Sequence, residues 1–78
     1  MPMLSLIQRD DCALCDLAWD ILQQAGVRDF AAVYIDGDVD AEFRYGSRVP
    51  VLRLGDAELA WPFDAETVRV WLVTPERG

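Results

Sequence analysis

Cys12-Ala13-Leu14-Cys15 holds both cysteines of the chain, three residues apart, at the point where an apolar strand pattern hands over to a helical one. A helix start carries unpaired backbone N–H groups and a partial positive charge. Together these stabilise a thiolate, the form of cysteine that attacks disulfides. Cys12 and Cys15 are therefore candidates for a redox dithiol. A plainer reading stands beside it, with Cys15 a small buried apolar residue and Cys12 an incidental exposed thiol.

Fourteen acids face seven arginines for a net charge of −7, and the chain has neither lysine nor histidine. Without histidine the usual general base and the commonest metal ligand are missing. That excludes a Cys-His nucleophilic pairing and a His-based zinc site within one chain. Thiols and carboxylates remain. The negative charge argues against nucleic acid as a partner. Two thiols are too few for a metal centre in one chain, so no metal is expected. Four thiolates lent by two chains would suit zinc or an iron–sulfur cluster, and that stands as an alternative.

The elements that must position the dithiol follow from periodicity. Met3 to Arg9 reads as a strand. Leu14, Leu17, Ala18, Ile21, Leu22 and Ala25 then recur at three- and four-residue steps, one face of a helix that Gly26 closes. Phe30 to Ile35, rich in aromatic and β-branched residues, predicts a second strand ended by Asp36-Gly37-Asp38. A short helix over Val39 to Tyr45 follows, with Asp38 as cap and Gly46 as stop. Pro50 to Leu54 and Glu58 to Trp61 read as strands joined at Gly55-Asp56. Asp64 caps a last helix in which Val68, Trp71 and Leu72 share a face, and Pro75 prevents its continuation. The order is β-α-β-α-β-β-α, an α/β fold. A crossover to the second strand makes a parallel pair and the tight turn an antiparallel one, so the sheet is mixed, with helices on both faces.

At 78 residues and 53% apolar composition the chain buries one small core, so residues 1–78 are expected to form one domain. Gln8 and Arg9 interrupt the first apolar run too early for a signal peptide or membrane span, and no basic leader precedes it. The expectation is a soluble, cytoplasmic protein with no membrane association. In a reducing cytosol a close cysteine pair is redox-active or metal-binding more often than a permanent staple.

That Cys-x-x-Cys after the first strand, the element order, and Tyr45-Gly46-Ser47-Arg48-Val49-Pro50-Val51 entering the third strand resemble the glutaredoxin-like family first catalogued as a domain of unknown function. The resemblance covers essentially the whole chain and implies a thioredoxin-like fold. It implies that Cys12 is the nucleophile that opens a substrate disulfide and that Cys15 resolves the mixed disulfide into a Cys12–Cys15 bridge. Positions three apart on a helix put the sulfurs within bonding reach. It further implies a cis Val49–Pro50 bond beside the dithiol, with the Val49 backbone free to pair with an extended substrate as an added strand would. Read without the resemblance, Pro50 is a strand-start proline that lacks a ladder donor.

Glutathione recognition departs from the better-known pattern. Glutaredoxins usually carry Cys-Pro-Tyr-Cys with a lysine three residues before the first cysteine. Here Ala13-Leu14 replaces Pro-Tyr and Arg9 stands in the lysine's place. Arg9 and Arg48 are the candidate cations for the glutathione carboxylates. Ala60-Trp61 replaces the Gly-Gly pair that leaves room for the glutamyl end, so Trp61 can fill that groove, while Asp64 matches the acid that meets the amine. Trp61-Pro62-Phe63 is either an apolar rim beside the dithiol or ordinary packing at a helix entry. Trp19, on the margin of the first helix's apolar face, is a boundary residue. Asp10, Asp11 and Asp16 crowd the dithiol end of that helix and oppose a thiolate, unless they serve capping and solubility alone. One carboxylate about 7 Å away in water costs on the order of 0.6 kcal/mol, comparable with the roughly 0.3–1 kcal/mol a helix terminus supplies. The Cys12 thiol is thus expected to be less acidic than one in a basic loop.

The expected function is reduction of protein or glutathione mixed disulfides by a monomer with no bound cofactor, glutathione being a possible reductant. The alternative is a redox-sensitive interaction module with little turnover.

Overall fold

Alternating side chains along the first strand divide the interior in two. Leu4 and Leu6 join Ala18, Leu22, Leu52, Phe63 and Val68 on one side of the sheet, while Ile7 joins Ile35, Tyr45 and Val51 on the other. The computed structural model describes residues 3–74. Its elements are β1 (Leu4–Gln8), α1 (Ala13–Gln24), β2 (Ala31–Tyr34), α2 (Val39–Tyr45), β3 (Val51–Leu54), β4 (Ala57–Ala60) and α3 (Ala65–Val73). This is the β-α-β-α-β-β-α order read from the sequence, and Pro75 lies outside the described residues.

The sheet order is β2-β1-β3-β4. Strands β1 and β2 are parallel, with Gln8 opposite Tyr34. Both other pairs are antiparallel, with Ile7 opposite Val51 and Val51 opposite Ala60. The sheet is mixed, as the crossover and the hairpin require. Helices α1 and α3 cover the face that carries the larger cluster, and α2 covers the face carrying Tyr45 and Ile35. Among the described residues no helix is long and apolar enough to cross a membrane.

The α1 face needs a correction. Cys15, Ala18 and Leu22 are its buried residues, whereas Leu14 and Leu17 are 45% and 50% exposed. Leu17 is turned about 100° from Ala18, and Leu14 lies one turn up the axis in the first turn of the helix. Leu17 thus lies beside the stripe that the sheet covers, whereas Leu14 shares the side of Ala18 and is exposed because it stands a turn nearer the helix start. Elsewhere the local chemistry acts as read. Asp38 Oδ1 accepts from the Ala41 N–H at 3.1 Å and caps α2. At Gly46 a Cβ would run into the Glu42 carbonyl oxygen, so glycine suits that stop for steric reasons.

Candidate functional site

The strand register brings four chain segments to one end of the sheet. They are the turn after β1 that leads into Cys12, the Asp36-Gly37-Asp38 turn after β2, Val49-Pro50 before β3, and Trp61-Pro62-Phe63 after β4. In the first of these, Asp11 has φ +54°, a left-handed conformation that aspartate tolerates better than most residues. The Asp10 N–H donates to Asp36 Oδ1 at 2.8 Å and ties this turn to the one after β2.

Cys12 is the N-cap of α1. Its extended backbone lets the ladder start with the Asp16 N–H on its carbonyl at 3.1 Å, and its Sγ accepts from the Cys15 N–H at 3.1 Å. The cysteines are joined as a disulfide with their Cα atoms 5.2 Å apart. Their exposure differs: Cys12 is half-buried, whereas Cys15 is 1% exposed. A thiol arriving from solvent therefore meets the Cys12 sulfur first, and after reduction the same N–H lies within reach of its thiolate.

Val49–Pro50 and Trp61–Pro62 are cis peptide bonds. The Val49 backbone is not free, however, because its N–H donates to the Tyr45 carbonyl at 3.1 Å, beside the Arg48 N–H at 2.8 Å. The helical turn at the end of α2 continues far enough to claim that donor. That N–H is therefore not a donor for an added strand. Pro50 is fully buried, and Val49 packs against the Tyr45 cluster.

Both candidate cations are held inside the chain. Arg9 Nη1 donates to Glu42 Oε1 at 2.6 Å and its Nη2 to the Gly46 carbonyl at 3.2 Å, so the side chain braces α2 against the end of β1. Arg48 Nη2 pairs with Glu58 Oε1 at 2.7 Å. Tyr45, not singled out from the sequence, is the hub here. Its hydroxyl donates to Glu58 Oε2 at 2.8 Å and accepts from Arg53 Nη1 at 3.3 Å. The Arg44 and Arg48 guanidinium carbons lie 5.7 and 5.4 Å from its ring centroid. The Arg48 hydrogen bond holds the Glu58 carboxyl below its ordinary pKa, against some desolvation and with help from the Tyr45 hydroxyl.

Asp64 Oδ1 accepts from the Thr67 N–H at 2.7 Å and caps α3, and this bond keeps its carboxyl in the ionised form below its ordinary range. Phe63 belongs to the core, so the packing reading holds for it. Trp61 meets it edge to face at 5.0 Å and packs part-buried on the same cluster. The exposed remainder of the loop is Pro62 and the outer part of Trp61. Trp19 is 43% exposed, stacks edge to face on Phe30, and donates from Nε1 to Gln8 Oε1 at 3.0 Å, which suits a boundary residue. Gln8 was also missed. It is 3% exposed, and its Nε2 has no hydrogen-bond partner among the described residues. Its place in a run of strand residues concealed it. Among the described residues, no group of three or more His, Cys, Asp or Glu side chains could hold a metal ion.

Residues 3–73 match the family described as glutaredoxin-like domain (DUF836). Three solved structures resemble the chain. The X-ray structure of the structural-genomics target protein XcR50 from X. campestris is 54% identical, with TM-score 0.85 over 88% of this chain and 93% of that one. The solution structure of the same target is 49% identical, with TM-score 0.87 over 97% and 99%. The solution structure of protein Ne2328 from Nitrosomonas europaea is 26% identical, with TM-score 0.66 over 90% of this chain and 89% of that one. None of the curated proteins matches.

Proposed function

The chain belongs to the glutaredoxin-like domain family, and from that membership we propose that it is a thiol–disulfide oxidoreductase that reduces protein or glutathione mixed disulfides. A thiol redox role follows from the family together with the disulfide-bonded Cys12–Cys15 pair. The observation that carries the finer reading is the asymmetry of that pair, with one sulfur reachable at a helix N-terminus and the other shielded.

In the reduced protein the Cys12 thiolate attacks one sulfur of the substrate disulfide. A Cys12–substrate disulfide forms as the substrate S–S bond breaks, and the departing sulfur leaves with the electron pair and takes up a proton. Cys15, deprotonated in turn, attacks the Cys12 sulfur and closes the Cys12–Cys15 bridge, releasing the second substrate thiol. Two electrons pass from the dithiol to the substrate, and an external thiol, glutathione among the candidates, returns them. The Cys15 N–H stabilises the attacking Cys12 sulfur, while Asp11 and Asp16 oppose its charge. Val49-Pro50 and Trp61 lie at the same end of the sheet as the dithiol, and in this reading they flank its approach.

Equilibration of the purified protein in dithiol redox buffers, with trapping of free thiols, tests the proposal. A reversible two-electron transition between roughly −300 and −150 mV supports it, because that window spans the thioredoxin, glutaredoxin and disulfide-isomerase couples. Absence of a reversible bridge removes it and favours a redox-sensitive interaction module.

A further inference from the structure

The segments that flank the half-buried Cys12 are rich in exposed carboxylates. Asp10, Asp11 and Asp16 are exposed, the first two just before Cys12 and the third one turn into α1. Asp36 brings a fourth carboxylate to the same turn through its 2.8 Å bond from the Asp10 N–H. The two candidate cations, Arg9 and Arg48, are already engaged. Arg9 is committed to Glu42 and the Gly46 carbonyl, and Arg48 to Glu58. Among the described residues no ion pair engages Asp10, Asp11, Asp16 or Asp36. The backbone agrees with the side chains: the Val49 N–H is bonded to the Tyr45 carbonyl, so it is not a donor left over for a substrate strand.

We propose that the disulfide this dithiol reduces belongs to a protein and is flanked by basic residues, and that glutathione, a net anion at neutral pH, is disfavoured at the same site. The inference rests on the exchange reading above. Arginine or lysine beside the substrate sulfurs meets the four carboxylates. Glutathione brings two carboxylates towards these aspartates, while Arg9 and Arg48 are already paired with Glu42 and Glu58. The chemical step is the one already written, since the charges select the substrate without taking part in electron transfer.

The test compares second-order rates of the reduced protein with three small disulfides: cystamine (cationic), bis(2-hydroxyethyl) disulfide (neutral) and glutathione disulfide (anionic). Each rate is divided by that of dithiothreitol, an uncharged dithiol, with the same disulfide, which cancels differences among leaving groups. Four carboxylates acting together through water favour cystamine over glutathione disulfide by about tenfold or more in 0.1 M salt, and by several times more in 0.01 M. The fourfold variant D10N/D11N/D16N/D36N keeps the side-chain shapes and the acceptor for the Asp10 N–H, and it brings the normalised ratio towards one. Should that variant not fold, D16N alone lowers the ratio about twofold. A changed Cys12 thiolate fraction does not alter this ratio, because one thiolate attacks every disulfide. A ratio within twofold of one at both salts overturns the inference and leaves the exchange function standing. No reaction with any of the three overturns the exchange function itself, and the inference with it.

Discussion

Replacing Tyr45 by phenylalanine isolates the hydroxyl that joins the end of α2 to β4. The ring is 4% exposed and packs with Ile7, Ile35 and Val51, so Tyr45→Phe keeps the packing and leaves no cavity. What disappears is the 2.8 Å donor bond to Glu58 and the 3.3 Å acceptor for Arg53. A hydrogen bond to a charged group contributes about 1.5–3 kcal/mol. Glu58 retains Arg48 at 2.7 Å and Arg53 reaches solvent, so the loss belongs at the low end, about 1.5 kcal/mol. With a urea m-value of about 1 kcal/mol per molar for so small a domain, the unfolding midpoint of the oxidised protein falls by about 1.5 M. Glu58 makes the effect pH-dependent. Its folded pKa lies below the ordinary 4.5, so its ionised form contributes stability that is present above that value and is lost as pH falls through the lowered one. The penalty for Tyr45→Phe is therefore full at pH 7 and shrinks towards pH 3. An unchanged midpoint at pH 7, or an equal loss at both pH values, would refute the view that the Tyr45–Glu58 bond holds the α2–β3 turn in place.

Four other outcomes follow. Cys15→Ser leaves Cys12 able to attack but nothing to resolve the product, so a Cys12–substrate disulfide accumulates and is seen as a mass increase. Cys12→Ser gives no adduct and no turnover. Leu22→Ala, at a fully buried site of the larger cluster, costs about 2–5 kcal/mol. Chemical denaturation will show it as the loss of much of the total, since about 0.05–0.15 kcal/mol per residue is usual. At Asp64 the thermal midpoint at pH 7 ranks wild type above Asp64→Asn and both above Asp64→Ala. Asparagine keeps the acceptor for the Thr67 N–H without the charge. Because the folded pKa of Asp64 is depressed below 3.8, the gap between wild type and Asp64→Asn closes as pH falls through that range.

Features that depend on neighbours in sequence were legible, and those that depend on partners across the fold were not. Asp38 and Asp64 were read as helix caps because a cap is a bond to a backbone N–H three residues on, and both make that bond. The mixed sheet followed from a crossover and a tight turn, each visible in segment lengths and turn residues. Strand ends moved by a residue or two, as where Phe30 and Ile35 fall outside the ladder that β1 imposes on β2. Of the apolar face read for α1, Ala18, Ile21, Leu22 and Ala25 reach the core, while Leu17 falls beside the covered stripe and Leu14 before it, because periodicity marks an apolar face without saying how wide or how far along the axis a sheet covers it.

The candidate site divides in the same way. Cys12 and Cys15 announce themselves by type, spacing and position at a helix start. Whether Arg9 and Arg48 serve a ligand or the fold depends on Glu42 and Glu58, which lie 33 and 10 residues away and carry no motif. Nor could composition assign the Val49 N–H, since that needs the last turn of α2 to place the Tyr45 carbonyl beneath it. These unreadable pairings are what the proposed substrate preference rests on. Fourteen acids over seven arginines give an anionic chain wherever the charges fall. The fold turns that imbalance into exposed carboxylates beside one cysteine, by using both candidate cations as braces and leaving the aspartates of the first turn facing solvent. An acidic chain with Arg9 free would present a cation three residues before the nucleophile. With Arg9 held by Glu42 and Gly46 that cation is engaged within the chain, so the proposed selection of substrate charge depends on contacts with α2 that lie outside the dithiol motif.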